Sequence, residues 1–275
     1  MRPILATATS FQGHEPLTND VMRRYAPSIF AESAHTSRSD RYAYIPTVEI
    51  VEGLRKEGFQ PFFVAQSRTR HEDRREYTKH MLRLRHASTI PSAEAQEVVL
   101  INSHDGTSAY QMTAGVLRFV CMNGLILGDK IESIKVPHKG DVKNQVIEGA
   151  YEVVKSFASV HEHMNEMKET ALTPEMSEAY AEAALTLRYD TEEQAAPVTV
   201  SQVLRPRRRE DEDTSVWGTF NRVQENLVRG GLSGTAPRGR RARTRAVTGI
   251  DQNFRLNRAL WTLSERMAEL VHGRA

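Results

Sequence analysis

Cysteine is the scarcest chemically informative residue in this sequence. Cys121 is the only one among 275 residues, which excludes an intrachain disulfide and a cysteine-rich zinc site. Its apolar surroundings are typical of a small core residue. Long apolar runs are missing too, since no stretch approaches the about 18 apolar residues of a membrane-spanning helix. The first apolar run, Ile4–Ala8, is shorter than the roughly 7–15 residues of a signal-peptide core. We therefore expect a cytoplasmic protein with no membrane partner.

Catalytic motifs are also scarce. His104 and Asp105 could form an acid–base pair, but they precede a glycine between two apolar runs, which is typical of a hairpin turn. His71, His80 and His86 lie among acids, yet their spacing matches no metal-ligand signature. We expect a protein without catalytic residues, metal ions or cofactors.

The hydrophobic periodicity predicts an α+β fold. A helix is predicted over 47–57, with Thr47 as its N-cap. The segments that follow alternate with period two and predict an antiparallel β-meander of three to five strands over about 59–124. A second turn is expected at Asn123–Gly124. Helices pack on this sheet, the first over 147–164. The predicted domains are an α+β core (1–170) and a helical C-terminal region (171–275), which has a flexible Arg/Gly-rich segment at 229–246 and a last helix at 251–271.

The net charge of +2 hides strong segregation of charge. Bases cluster at 68–85, 135–143 and 229–258, and the alternation in HMLRLRH predicts that Arg83 and Arg85 lie on a solvated strand face. The run at 205–213 switches sign and reads as a solvated turn. Three separate basic groups favour the binding of a polyanion. The alternative is a solvated basic surface whose charge is offset by the acidic segment 158–195. The candidate DNA-binding residues are Arg68, Arg70, Arg74, Arg75, Lys79, Arg83, Arg85, Lys135, Lys139, Lys143, Arg238, Arg240, Arg241, Arg243 and Arg245.

Several segments carry a family resemblance. GFQPFFVAQSRTR, KHMLRLR, LINSHDGTSAYQM, GVLRFVCMNGLI and LVRGGLSG resemble an uncharacterised bacterial family of conjugative plasmids and prophages, known as a domain of unknown function or a phage/plasmid-like protein. The resemblance spans about residues 15–270 and implies a mobile-element origin, with a role when DNA enters as a single strand. It brings no catalytic residues. The order helix, antiparallel strands, helix is also similar in layout to single-strand annealing proteins, which form rings with a basic groove.

These observations favour a non-enzymatic protein that binds and anneals single-stranded DNA in plasmid or prophage establishment or recombination. We expect a homo-oligomeric ring or filament, with a host or plasmid single-strand-binding protein as a further candidate partner. One alternative is an anti-defence protein that inhibits a host nuclease or restriction system. A second is a metal-dependent nuclease that uses Asp105, Asp129 and Asp141.

Overall fold

The computed structural model describes residues 8–37, 44–87, 94–120, 123–127, 133–189, 195–235 and 239–273. Cys121, Asp129 and Arg238 lie outside these ranges. The chain divides into two units. The first contains the described residues up to Ile126 and from 133 to Phe157, and the second contains Leu127 and those from Ala158 onward. The sequence prediction placed the boundary at 170 instead.

The first unit is built on an antiparallel sheet of seven strands. They are β1 (Ala8–Gln12), β2 (Phe59–Ser67), β3 (His80–His86), β4 (Glu94–Asn102), β5 (Tyr110–Arg118), β6 (Asn123–Ile126) and β7 (Ile134–Val136). Strands β1 to β6 pair in sequence order, and β7 pairs with β5 beside β6. The predicted meander is confirmed, since β2 to β6 are five antiparallel strands that begin between residues 59 and 124. The sheet also includes β1 and β7, two short strands outside the predicted range. The turn predicted at Asn123–Gly124 is wrong, since both residues belong to β6.

Eight α-helices lie in the described residues. They are α1 (Asn19–Tyr25), α2 (Thr47–Lys56), α3 (Val142–Lys155), α4 (Phe157–Glu169), α5 (Pro174–Arg188), α6 (Val200–Leu204), α7 (Val216–Arg229) and α8 (Ile250–Val271). The predicted helices at 47–57 and 251–271 are confirmed, whereas the one predicted at 147–164 is two helices separated at Ser156. In the first unit, α2 and α3 contact each other and lie on the sheet. No described helix combines the length and the apolar character needed to cross a membrane.

The second unit packs around α7, which is buried along most of its length. Trp217 and Phe220 of α7 meet Trp261 of α8 edge to face, and the Tyr180 hydroxyl bonds Ser264 at 2.8 Å. In the Arg/Gly-rich segment, β8 (Ser233–Thr235) and β9 (Arg241–Arg243) form a hairpin. The amide of Thr235 donates to the Pro197 carbonyl at 2.8 Å. This segment therefore finds backbone partners elsewhere in its own unit, which its composition did not indicate.

Candidate nucleic-acid interface

One end of the sheet collects three connections. These are the β2–β3 connection, the β4–β5 turn and the loop after β7. The amides of His104 and Asp105 both donate to the Tyr77 carbonyl, at 2.9 and 3.1 Å, which ties the first two together. His138 Nε2 lies 3.1 Å from Asn102 Oδ1, which ties the third to the end of β4. The predicted basic group at 135–143 and residues 68–79 of the predicted group at 68–85 therefore lie at the same end of the sheet. We call this the basic end of the sheet.

The β2–β3 connection presents four exposed arginines. It contains a 3-10 helix, Glu72–Tyr77, and its base is anchored because Gln66 Nε2 donates to the Arg75 carbonyl at 2.6 Å. The arginine quartet is Arg68, Arg70, Arg74 and Arg75. No member forms an ion pair with any residue in the described ranges, although three acids share the same connection. Their guanidinium groups are therefore open to an external acceptor on a loop whose base is held in place.

The other predicted bases differ in their exposure. Lys135 and Lys139 are exposed at the basic end, whereas Lys79 and Lys143 are half-buried. Lys143 packs its stem over Gly53 of α2. The hairpin quartet of the second unit, which consists of Arg240, Arg241, Arg243 and Arg245, is exposed.

Arg83 and Arg85 do not lie on a solvated face, so that part of the prediction is wrong. Arg83 is only 4% exposed, and its Nη1 lies 3.1 Å from one oxygen of Glu97. Its Nη2 donates to the Leu125 carbonyl at 2.7 Å. Arg85 Nε lies 3.0 Å from the other Glu97 oxygen. The alternation of leucine and arginine along β3 correctly assigned both arginines to one face of the strand. It could not show that β4 places the carboxylate of Glu97 on that same face. The surface-exposed bases of this region are therefore the four arginines between 68 and 75.

A buried polar network supports the basic end from below. Thr47 Oγ1 lies 3.0 Å from His80 Nε2, 3.1 Å from His104 Nε2 and 3.2 Å from the Tyr110 hydroxyl. Thr47 was expected to cap α2, but its side chain makes these contacts and Pro46 occupies the cap position. Burial lowers the pKa of His104 to about 4, with His138 acting in the same direction and Asp105 opposing it. Burial also holds the pKa of His80 well below its ordinary value. Both imidazoles are thus neutral at pH 7 and act as hydrogen-bonding groups.

The candidate catalytic groups have local structural roles. Asp105 Oδ1 accepts from the Thr107 amide at 3.0 Å, and Asp141 caps α3 by accepting from the Asn144 amide at 3.3 Å. His80 is interior at the basic end, whereas His86 ends β3 at the opposite end of the sheet. Among the residues the structure describes, no group of three or more His, Cys, Asp or Glu side chains is arranged to hold a metal ion.

Comparison with known proteins gives the family. A family model described as "Domain of unknown function (DUF932)" matches residues 34–261. The chain belongs to the DUF932 family. The UPF0380 proteins YfjQ and YafZ of Escherichia coli (strain K12) are each 52% identical to it over 252 residues, which is 92% of both chains. No solved structure matches. The resemblance to an uncharacterised family is therefore confirmed, and DUF932 itself carries no functional description.

Proposed function

We propose that this DUF932 protein is a non-enzymatic protein that binds single-stranded DNA and anneals complementary strands, with the basic end as its contact surface. The arginine quartet carries the proposal, because four exposed guanidinium groups lack ion-pair partners among the described residues. Guanidinium groups present planar sets of donors that match phosphate oxygens. No internal ion pair has to be broken when such groups bind phosphate.

The form of the basic end favours a single strand over a duplex. Reading of the major groove uses a helix or a two-stranded ribbon, whereas the quartet lies on a loop that contains one short 3-10 helix. Contacts to phosphates position a strand without reading its sequence. A strand held in this way keeps its bases available for a complementary strand, which is what annealing requires.

The helices add to the positive potential. Both α2 and α3 begin at the basic end, at Thr47 and Val142, since Thr47 contacts His104 and α3 follows the loop after β7. The N-terminal end of an α-helix carries roughly half a positive charge. Two such ends beneath the exposed bases reinforce the attraction of a polyanion.

The proposal includes assembly as a homo-oligomeric ring or filament. Annealing requires that many nucleotides be held at once, and one basic end offers few phosphate contacts. A row of subunits would extend the contact along a strand. Particle images of the purified protein with and without single-stranded DNA test this part, and monomers under both conditions would contradict it.

Binding to a labelled single strand across a salt series tests the central claim. Replacing the quartet by glutamine should weaken binding and reduce the slope of log affinity against log salt by about 3, since each phosphate contact on a single strand contributes roughly 0.7. A matched control replaces four other exposed bases, Lys56, Lys155, Arg255 and Arg266, and should leave the slope nearly unchanged. The hairpin-quartet variant reports whether the second unit contributes.

Two results would reject the proposal. One is the absence of binding by the parent protein at low salt, which would instead favour a protein-binding inhibitor of host defence. The other is an equal loss of affinity in the quartet variant and the matched control, because net charge alone would then explain binding. Annealing of complementary labelled strands should be accelerated by the parent and not by the quartet variant.

A further inference from the structure

A cleft lies at the end of the sheet opposite the basic end, where β2 begins and β3 ends. Its volume is ≈ 370 Å³, within the range of small-molecule sites. Its lining includes His14, Gln60, Phe62, Arg85, His86 and Phe119. No acidic side chain is among the described residues that line it. The cleft thus combines aromatic walls with nitrogen donors.

The charges behind the cleft do not balance. Glu97 is fully buried and uses one oxygen for Arg83 and the other for Arg85. Arg83 is also satisfied by the Leu125 carbonyl. Two guanidinium groups therefore share one carboxylate, and the excess positive charge faces the cleft through Arg85. An uncompensated charge in a largely buried position is costly.

Arg85 itself has unused hydrogen-bonding capacity. Only 13% of its side chain is exposed, and its Nη2 is shielded from solvent without a hydrogen-bond partner. Phe62 and Phe119 flank the guanidinium, with their ring centroids 4.0 and 5.3 Å from Cζ. Among the described residues, Glu97 is its only hydrogen-bond acceptor, through Nε. The aromatic rings hold the plane of the guanidinium and exclude water, which strengthens its attraction for an anion.

We propose that this Arg85 cleft binds a phosphomonoester, supplied either as a free mononucleotide or as the 5′-phosphate at the end of a DNA strand. A dianionic phosphate neutralises the excess charge of the Arg83–Glu97–Arg85 cluster, and Arg85 donates to its oxygens through Nη1, the terminal nitrogen that is not shielded. His86 and Gln60 are polar lining groups beside that position. The site is separate from the basic end, so it does not depend on the function proposed above.

Titration calorimetry on the full chain tests the inference with three probes: inorganic phosphate, deoxyadenosine monophosphate, and a short oligonucleotide with either a 5′-phosphate or a 5′-hydroxyl. Arg85→Met keeps the length of the side chain and leaves Glu97 paired with Arg83, and it should weaken phosphate binding by at least about tenfold. His14→Asn changes an exposed lining residue with little risk to folding and should weaken binding by a smaller factor.

The outcomes separate the two sources of phosphate. Binding of the mononucleotide supports a free ligand. Tighter binding of the 5′-phosphorylated oligonucleotide than of the 5′-hydroxyl one supports a strand end, provided that the quartet variant keeps this preference. The quartet variant should bind inorganic phosphate and the mononucleotide as the parent does, which separates failure of this inference from failure of DNA binding. It is overturned if the parent binds none of the probes, or if a folded Arg85→Met variant binds them as well as the parent.

Discussion

Acidification should destabilise the first unit through His104. Its pKa in the folded protein, about 4, lies below its ordinary value of 6.5. The unfolded chain therefore binds more protons between these values, so the stabilising contribution is complete above 6.5 and is lost as the pH falls towards 4. The 2.5-unit difference corresponds to about 3 kcal/mol in total, at roughly 1.4 kcal/mol per unit. About 2 kcal/mol of this falls between pH 7 and pH 5.

Urea denaturation of the parent and His104→Gln at the two pH values measures this contribution. The variant should be less stable than the parent at pH 7, because it disturbs the contact with Thr47. Its loss of stability on acidification should be smaller than that of the parent by about 2 kcal/mol. His71→Gln, which changes an exposed histidine outside the network, is the control and should keep the parent's pH dependence. If the stability of His104→Gln depended on pH as strongly as that of the parent, the reasoning would be refuted. Any pH dependence of stability that remains in the variant reports His80, whose pKa is also lowered.

Three substitutions test the packing by urea or thermal denaturation. Glu97→Ala leaves the buried Arg83 guanidinium without its carboxylate and should cost about 3–5 kcal/mol; a loss below about 1 kcal/mol would show that the pair is dispensable. Gly124→Ala places a Cβ where the Arg83 guanidinium lies and should cost about 1–3 kcal/mol, and an unchanged unfolding midpoint would contradict that close approach. Thr199→Ala removes a capping box with Gln202 in α6 and should cost about 1 kcal/mol, whereas Thr199→Ser should retain most of the stability.

The candidate interface was predictable from the sequence only in part. The exposed quartet lies in a polar, charge-dense stretch between two strand-like segments, and such a stretch is a surface connection in most folds. Arg83 and Arg85 lie in a strand, where exposure depends on what the neighbouring strand places opposite. The sequence contains no local sign that Glu97 would be that neighbour. The same holds for Thr47, whose position predicted a cap but whose hydroxyl meets histidines from β3 and the β4–β5 turn.

Charge runs show the same limit in the second unit. The run at 205–213 was expected to be a solvated turn, yet Arg208 pairs with Glu225 of α7 at 2.6 Å and with Asp211 at 2.9 Å. Asp211 and Glu225 are almost fully buried. Composition reports which charges are present, whereas their partners come from chain segments that only folding brings together.

The sequence by itself determined the antiparallel meander and the helices α2 and α8. Period-two alternation and an Asp-Gly turn specify the meander, and apolar spacing specifies α2 and α8, because these signals arise from local backbone geometry. Tertiary structure alone decided that Arg83 and Arg85 pair with Glu97, that two basic segments share one end of the sheet, and that Arg85 lines a cleft. Those properties depend on pairing between strands far apart in the chain, and the strength of a charge depends on the burial and partners that such pairing creates.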